Sequence, residues 1–460
     1  MKRFLRKSHK WMGLIIGIII LFFSITGIIL NHRKAIAGID ICRESLPKSY
    51  HIENYNNGII RGTKALDNHH LIIWGNAGIW STDSSFSKFR PMMHGIPEGA
   101  DNRNIIAVVQ DSKGQLWTAS PWALYLWKKG WKKQFERPIQ DITIKGDTLV
   151  VVTNQAILTS VAPFKHFTPH YIKGKTHKKN IFHTIMSLHS GELFGLPGIL
   201  FVDGIAITLL ILTITGAIFT FYKKKAKIAM KCHNILGYWL IVFTIGITVT
   251  GICLRDPLSG ILKKITYDSH VNHIDGLKAI RWNSHTKRWM LITQKEMFWL
   301  NHLDGTVTKM GRNLKLTNMG IHVFEPIDST RWIIGSLRGS YIFNPESDKV
   351  KKIGKNIAVM GFSKDLCENR LVIFDKRKGA LDLEGKRVSK GIKKTPRILK
   401  EQGMPLWNIA LEIHVGRFFI NWIKCMSSSV YVNISGILIL IVLITGLVIL
   451  PKKNKKYRSK

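Results

Sequence analysis

The sequence has 460 residues, with 68 Lys and Arg against 29 Asp and Glu, a formal net charge of +39. That length exceeds one ordinary domain, so two or more structural units are expected. The charge suits anionic partners such as phospholipid or acidic ligands. Nucleic acid is set aside, because the basic residues gather on no recognisable reader module. Five cysteines (Cys42, Cys232, Cys253, Cys367 and Cys425) form neither a CxxC nor a CxxCH, which argues against a disulfide scaffold and leaves no site for covalent haem attachment. Cys42 and Cys367 could pair if both face an oxidising compartment.

Four stretches are long and apolar enough to cross a bilayer: roughly Trp11–Leu30, Ile199–Tyr222, Ile235–Leu254 and Tyr431–Leu450. The segments Met1–Lys10, Lys223–Lys231 and Lys452–Lys460 carry five, five and six basic residues and no acid. The positive-inside rule makes all three cytoplasmic and both termini internal. In chain order this gives a tail and first span (1–32), a first outer segment (33–180) and a second span with its lead-in (181–222). A basic link (223–232), a third span (233–255) and a second outer segment (256–405) follow. The fourth span with its lead-in (406–450) and a basic tail (451–460) complete the chain. The first span reads as retained, although Ala35-Ile36-Ala37 mimics a cleavage site, because its apolar run is too long for an ordinary signal peptide.

The chain reads as two copies of one plan. "SHKWMGLIIGIIILFFSITGIIL" (8–30) matches "CHNILGYWLIVFTIGITVTGICL" (232–254) at His9/His233, Gly13/Gly237 and Thr26-Gly27/Thr250-Gly251. The lead-in segments both carry His-x-Gly (His189/Gly191 and His414/Gly416), and their spans end in Thr215-Gly216 and Thr445-Gly446. Asp203 and Asn433 stand twelve residues before those threonines. Both copies start inside, so the repeats are parallel, with a pseudo-two-fold axis along the membrane normal. The fold expected in the membrane is a four-helix bundle, whose core can hold a cofactor.

Both outer segments read as β, with short runs rich in Val, Ile, Trp and Thr between Gly, Asn and Asp turns. Three stretches in each share a turn–strand–turn–strand pattern: 69–83, 111–127 and 145–160, then 286–305, 329–344 and 368–385. Trp74 to Trp117 and Trp289 to Trp332 are both 43 residues, the scale of a propeller blade. The pattern suggests an all-β domain forming a six-bladed propeller split between the two segments. Two separate β-sandwich or α+β domains are the competing arrangement.

A histidine at a membrane boundary is ordinarily an interfacial residue. Four at matching places in two copies call for more. The axis would bring His9 opposite His233 near the inner face, and His189 opposite His414 near the outer face. Neutral imidazoles from two helices suit the axial positions of haem iron. Gly13 and Gly237 lie one turn from their histidines on the same face, where a flat macrocycle needs close backbone approach. The Thr-Gly pairs read first as helix-packing residues, with the same close approach to a macrocycle as the alternative. His32 and His183 are runner-up ligands, but Asp256 and Asn408 stand at their counterpart positions. Asp203 and Asn433 read as polar residues at a helix boundary, with hydrogen bonding to an imidazole or a propionate as the alternative. His69, His70 and His270 read as ordinary surface or strand residues.

These motifs, "HKWMGLIIGIIILFFSITGIIL" and "LHSGELFGLPG", each occurring twice and in order, resemble the PepSY-associated transmembrane helix family of bacteria. The resemblance covers the spans and their flanks, about a third of the chain. It implies an inner-membrane protein with b-type haem, here two, held by His9, His233, His189 and His414, and a role in ferric-siderophore reduction. The outer segments depart from the family pattern, since no PepSY module is recognisable there. The activity expected is that of a membrane ferric reductase, passing electrons to a ferric chelate or siderophore outside. No Gly-x-Gly-x-x-Gly fingerprint is present, so a separate donor, a quinol or a cytoplasmic reductase, would supply the electrons. Beyond the sixteen inner charges, 52 basic residues face 29 acids, a surface that would attract anionic chelates. The competing reading is a non-enzymatic β domain that binds a ligand or protein, anchored by four helices. No nucleophile motif or metal-spaced carboxylate cluster supports a hydrolase.

Overall fold

The computed structural model describes residues 2–450 apart from positions 68–69, 84, 175–178, 223–225, 269–272, 275, 295, 311–313, 315–320, 338, 348, 367–369, 389–391, 393 and 424–425. The basic tail, the first three lysines of the link, His69, His270, Cys367 and Cys425 therefore lie outside the described residues. The chain divides into two units. Met1–Ile36, Lys178–Ser269 and Leu406–Lys460 form one, and Ala37–His177 with His270–Pro405 form the other.

The first unit is helical. Helices α1 (Lys2–Asn31), α2 (Ile181–Ser190), α3 (Gly195–Tyr222), α4 (Lys227–Trp239), α5 (Ile241–Cys253) and α6 (Leu258–Leu262) belong to it. After α7 (Arg397–Lys400), which lies in the other unit, it resumes with α8 (Leu406–His414), α9 (Arg417–Ile423) and α10 (Ser428–Ile449). Three stretches are long and apolar enough to cross a membrane: α1, Glu192–Tyr222 and α10. Their large apolar side chains are widely exposed, Ile15 at 67% and Ile437 at 52% among them, as lipid-facing side chains would be.

The third run departs from the expected single span over 235–254. The chain bends by 67° between α4 and α5, which make a fourth span only if taken together. No proline causes the break. Leu240, at φ −106° and ψ 6°, leaves the helical well, and Ile241 starts a new helix. The rings of Tyr238 and Trp239 at this corner are 59% and 72% exposed, amphipathic groups of the kind that gather at a membrane interface.

The second unit is built from β-sheet. Four-stranded antiparallel sheets occupy 107–136, 141–170, 277–309 and 321–352. The strands of 62–91 and 359–381 share one seven-stranded sheet, joined by a parallel pair at Gly62 and Phe362. Six equal, separate blades are thus not what is seen, since the last group contributes only three strands to that sheet. Each stretch picked out by its sequence pattern spans the second and third strands of one group. Trp74 and Trp117 lie on the second strands of adjacent groups, as do Trp289 and Trp332. Gly146, at φ 55°, makes the tight loop between paired Lys145 and Thr148, a backbone shape that favours glycine.

The second strands are apolar on both faces because successive side chains enter different cores. Leu149 and Val151 pack with Trp117 and Leu126, whereas Val150 and Val152 pack with Leu277 and Leu291. Trp289 and Leu291 share that second core, while Met290 and Ile292 join Phe324 and Trp332 in the next. Six such clusters occur, each filled mainly from two groups that neighbour one another in chain order, or from the first and the last.

One buried ion cluster links three groups. Arg281 on Leu277–Asn283 pairs with Asp141 on Asp141–Lys145 and, at 2.8 Å, with Glu325 on Ile321–Pro326. Arg281→Leu would leave the buried Asp141 carboxylate without its cation, at an expected cost of about 3–5 kcal/mol. A thermal melt of the full-length protein in detergent, followed by tryptophan fluorescence, should show a lowered midpoint. Replacing Asp141, Arg281 and Glu325 together by apolar residues should recover most of the loss.

Candidate functional site

The four histidines singled out by the repeat come together in two pairs. His9 on α1 and His233 on α4 have ring centres 6.2 Å apart, with planes at 80°. His189 on α2 and His414 on α8 have ring centres 6.3 Å apart, with planes at 61°. All four lie within the helical unit.

Each ring is held by another helix through one recurring device. His9 Nδ1 lies 3.0 Å from the Val442 carbonyl and 3.2 Å from Thr445 Oγ1 on α10. His233 Nδ1 lies 3.0 Å from the Leu212 carbonyl and 3.2 Å from Thr215 Oγ1 on α3. His189 Nδ1 meets Thr250 Oγ1 on α5 at 2.9 Å, with the Ile247 carbonyl also in reach. His414 Nδ1 meets Thr26 Oγ1 on α1 at 3.0 Å, beside the Phe23 carbonyl. In every case the carbonyl belongs to the residue three before the threonine. Each threonine hydroxyl donates to the carbonyl four residues back: Phe22, Ile211, Gly246 and Ile441. Its lone pairs are then free to accept from the imidazole.

The glycine after each threonine makes room for the ring. A Cβ would stand 2.9 Å from His9 Cε1 at Gly446, 3.3 Å from His233 at Gly216, 3.3 Å from His189 at Gly251 and 3.6 Å from His414 at Gly27. The Thr-Gly pairs, read from sequence as packing residues, are therefore imidazole sockets. The sequence did carry a signal: the pair occurs four times, once for each histidine.

A carbonyl can only accept, so it holds the proton on Nδ1 and leaves a lone pair on Nε2. No described group hydrogen-bonds to Nε2 of any of the four rings. Burial also pushes His189 down to about 4 and His414 to about 3, with the nearby Arg255 charge adding to the shift of both. The His189/His414 pair is thus neutral at physiological pH.

The His-x-Gly motif also gains a structural meaning. His189 and His414 fall in the last turn of the short helices α2 and α8. Gly191 (φ 83°) and Gly416 (φ 76°) then take the left-handed conformation in which helices commonly end. A Cβ at Gly191 would come within 2.3 Å of the Gly198 carbonyl oxygen, and one at Gly416 within 2.4 Å of the Tyr431 ring. Trp407 Nε1 donates to the Leu30 carbonyl at 3.1 Å and ties α8 to the end of α1.

A cavity of about 500 Å³ opens at the His189/His414 pair. Its size falls in the range of small-molecule and cofactor pockets, roughly 300–1,000 Å³. Apolar residues such as Phe23, Leu209 and Ile439 line it, and Ser24, Thr248, Asn31, Asp203, Glu192 and Arg255 are among its polar members. Among the described residues no group of three or more His, Cys, Asp or Glu side chains gathers to hold a bare metal ion.

The other sequence candidates fall elsewhere. Gly13 and Gly237 face Val442 and Leu212, with a Cβ at either 3.8 Å from the nearest side-chain atom, an ordinary contact. His32 Nε2 bonds Asp203 at 2.6 Å, beside Asn31 at 2.9 Å, so both residues clamp the end of α1 to α3. Asn433 Nδ2 donates to the Asp256 carbonyl at 2.7 Å, a comparable tie at the end of the bent pair. His183 lies in the first turn of α2, where its N–H is capped by Asn180 Oδ1, and it belongs to neither imidazole pair. His70 is an exposed partner of Asp67.

Apolar spans, inward-facing paired histidines and a large β unit define a membrane protein with a β-sheet domain. The chain belongs to the family described as the PepSY-associated TM region, whose model matches residues 6–453. No curated protein matches the sequence. Among solved structures, the extracellular domain of a hybrid two-component system from B. thetaiotaomicron is similar at 9% identity and TM-score 0.38, covering 75% of this chain and 37% of that one. YCF48 from Cyanidioschyzon merolae is similar at 10% identity and TM-score 0.34, covering 76% and 89%. The GH74 enzyme of Niastella koreensis is similar at 9% identity and TM-score 0.36, covering 70% and 42%. The chain spans well under half the length of the first of these.

The sockets predict a graded response to glycine substitution. Gly446→Ala should cost about 1–3 kcal/mol by overpacking against His9. Gly27→Ala, with 3.6 Å available, should be close to neutral. Melting midpoints of the two full-length variants in the same detergent test the order.

Proposed function

We propose that this protein is a haem-b-containing electron carrier of the bacterial cytoplasmic membrane that reduces a ferric chelate, such as a ferric siderophore, on the extracytoplasmic side. The observation that carries the reading is the geometry of the imidazole pairs. The ring centres stand 6.2 and 6.3 Å apart in the two pairs, and no described group hydrogen-bonds to any of the four Nε2 atoms. A direct N–H···N bond between aligned rings would bring them to about 5 Å. Both separations are longer than that and leave room between the rings for a coordinated iron, which supports the reading. Each pair would offer two imidazole nitrogens to a haem iron, with no third ligand gathered beside them among the described residues.

In this reading His9 and His233 hold one haem, and His189 and His414 the other. When bound, haem b supplies a one-electron carrier. The residues of the chain do the rest. The Thr-Gly sockets orient the imidazoles, the Nδ1–H···O=C bonds raise their basicity as ligands, and the apolar walls exclude water. The donor is a separate species, a quinol or a cytoplasmic reductase.

The exchange of contacts between halves supports an internal two-fold repeat. His9 docks on Thr445 and His233 on Thr215, while His189 docks on Thr250 and His414 on Thr26. Every histidine is held by the other copy. With the bent pair as one span, four spans and internal basic ends put both β segments outside. We read the β unit as propeller-like, six groups of strands of which the first and last merge in one sheet rather than six separate blades, supported by six cores shared between groups and by the Gly62–Phe362 pair. Its basic surface would draw anionic chelates.

Protein purified in detergent from haem-replete cells should give a b-type reduced-minus-oxidised spectrum, with two haems per chain. His9→Ala and His414→Ala should each lose one, and the double variant both. Folded, colourless wild-type protein would overturn the reading and favour a β domain that binds a ligand or partner without redox chemistry.

A further inference from the structure

In the cavity at the His189/His414 pair, Arg255 is a cation held by no hydrogen bond or ion pair among the described residues; its neighbour Asp256 acts on it through charge alone. Arg255 stands two residues past the end of α5 and lines the cavity with His189 and His414. The nearby acids are engaged elsewhere. Asp256 accepts from Ser259, Glu412 holds Arg417 at 2.6 Å, and Asp203 is taken by Asn31 and His32. Glu192, the remaining acid of the lining, is exposed.

Comparison of the two halves explains why this charge is left over. Arg255 stands five residues after Thr250, as Asn31 stands five after Thr26. Asn31 finds the Asp203 carboxylate. In the second half Asn433 stands in the place of Asp203; its Nδ2 donates to the Asp256 carbonyl, and its Oδ1, a neutral acceptor, is buried with no hydrogen-bond partner. The second half therefore lacks the carboxylate that the first half uses. A guanidinium in an apolar cavity is costly unless an anion meets it, and its planar fork suits a carboxylate bound through two nitrogens.

We infer that Arg255 binds an acidic side group of the cavity's occupant, a propionate of the macrocycle. It thereby sets the ring's orientation, with the acidic edge at the end of α5. This rests on the haem reading above. Arg255 is a binding and positioning residue, and the imidazoles remain the iron ligands.

The test uses full-length His9→Ala protein, prepared without haem, in which the outer pair is the intact site. Absorption titrations compare haem with its dimethyl ester, whose side groups carry no charge. The acid should bind more tightly by roughly tenfold or more, as a charge-assisted bond would give. Arg255→Leu should bring the ratio close to one while the ester's own affinity stays unchanged, and Arg255→Lys should restore part of the preference. An undiminished preference in Arg255→Leu, or equal binding of acid and ester when Arg255 is present, overturns the inference alone. Folded protein that binds neither ligand overturns the haem reading and this inference with it.

Discussion

The hydrogen bond from each imidazole Nδ1 to the backbone of a different helix is the constraint on which the candidate site depends. A histidine within an apolar bundle is costly unless its polar atoms are satisfied. Here one nitrogen is satisfied and the other is deliberately left open. The carbonyl three residues before each threonine takes the proton, the threonine hydroxyl shares the bond, and the following glycine lets the ring approach. The device fixes the tautomer as well as the position. It also locks α1 to α10 and α3 to α4, so that packing and site geometry are set by the same contacts.

The β unit obeys a different rule. Its second strands are buried on both faces, and alternate side chains serve alternate cores. That economy explains why the strand runs look continuously apolar rather than alternating. It also explains why the polar contacts that remain, such as the cluster of Arg281, Asp141 and Glu325, join neighbouring groups of strands. Both units thus couple segments far apart in sequence, one through imidazoles and the other through shared apolar layers.

Much of this was legible in the sequence, and the failures have physical causes. The apolar runs announced the spans, because about twenty apolar residues are needed to cross hydrocarbon. The strand–turn–strand patterns located a hairpin in each of the six groups of strands, because turns and strands leave local signatures. The first strands were harder: "IHVFEP" (Ile321–Pro326) holds a histidine and a glutamate, whose places depend on other sheets. The bend at Leu240 had no proline or glycine at the break to mark it. The repeat brought out His9, His189, His233 and His414, but the Thr-Gly pairs were read as packing residues. Small residues on a helix look alike whether they meet another helix or a ring. Only the contact between His9 and Val442, 433 positions apart, tells them apart.

The most direct measurement is an experimental density map of the haem-replete protein at a resolution that shows side chains. The account predicts two flat densities, one between His9 and His233 and one between His189 and His414, each met on both faces by an Nε2 atom while Nδ1 stays on its carbonyl and threonine. A map in which the paired rings close on each other or on water, with no flat density between them, would contradict it.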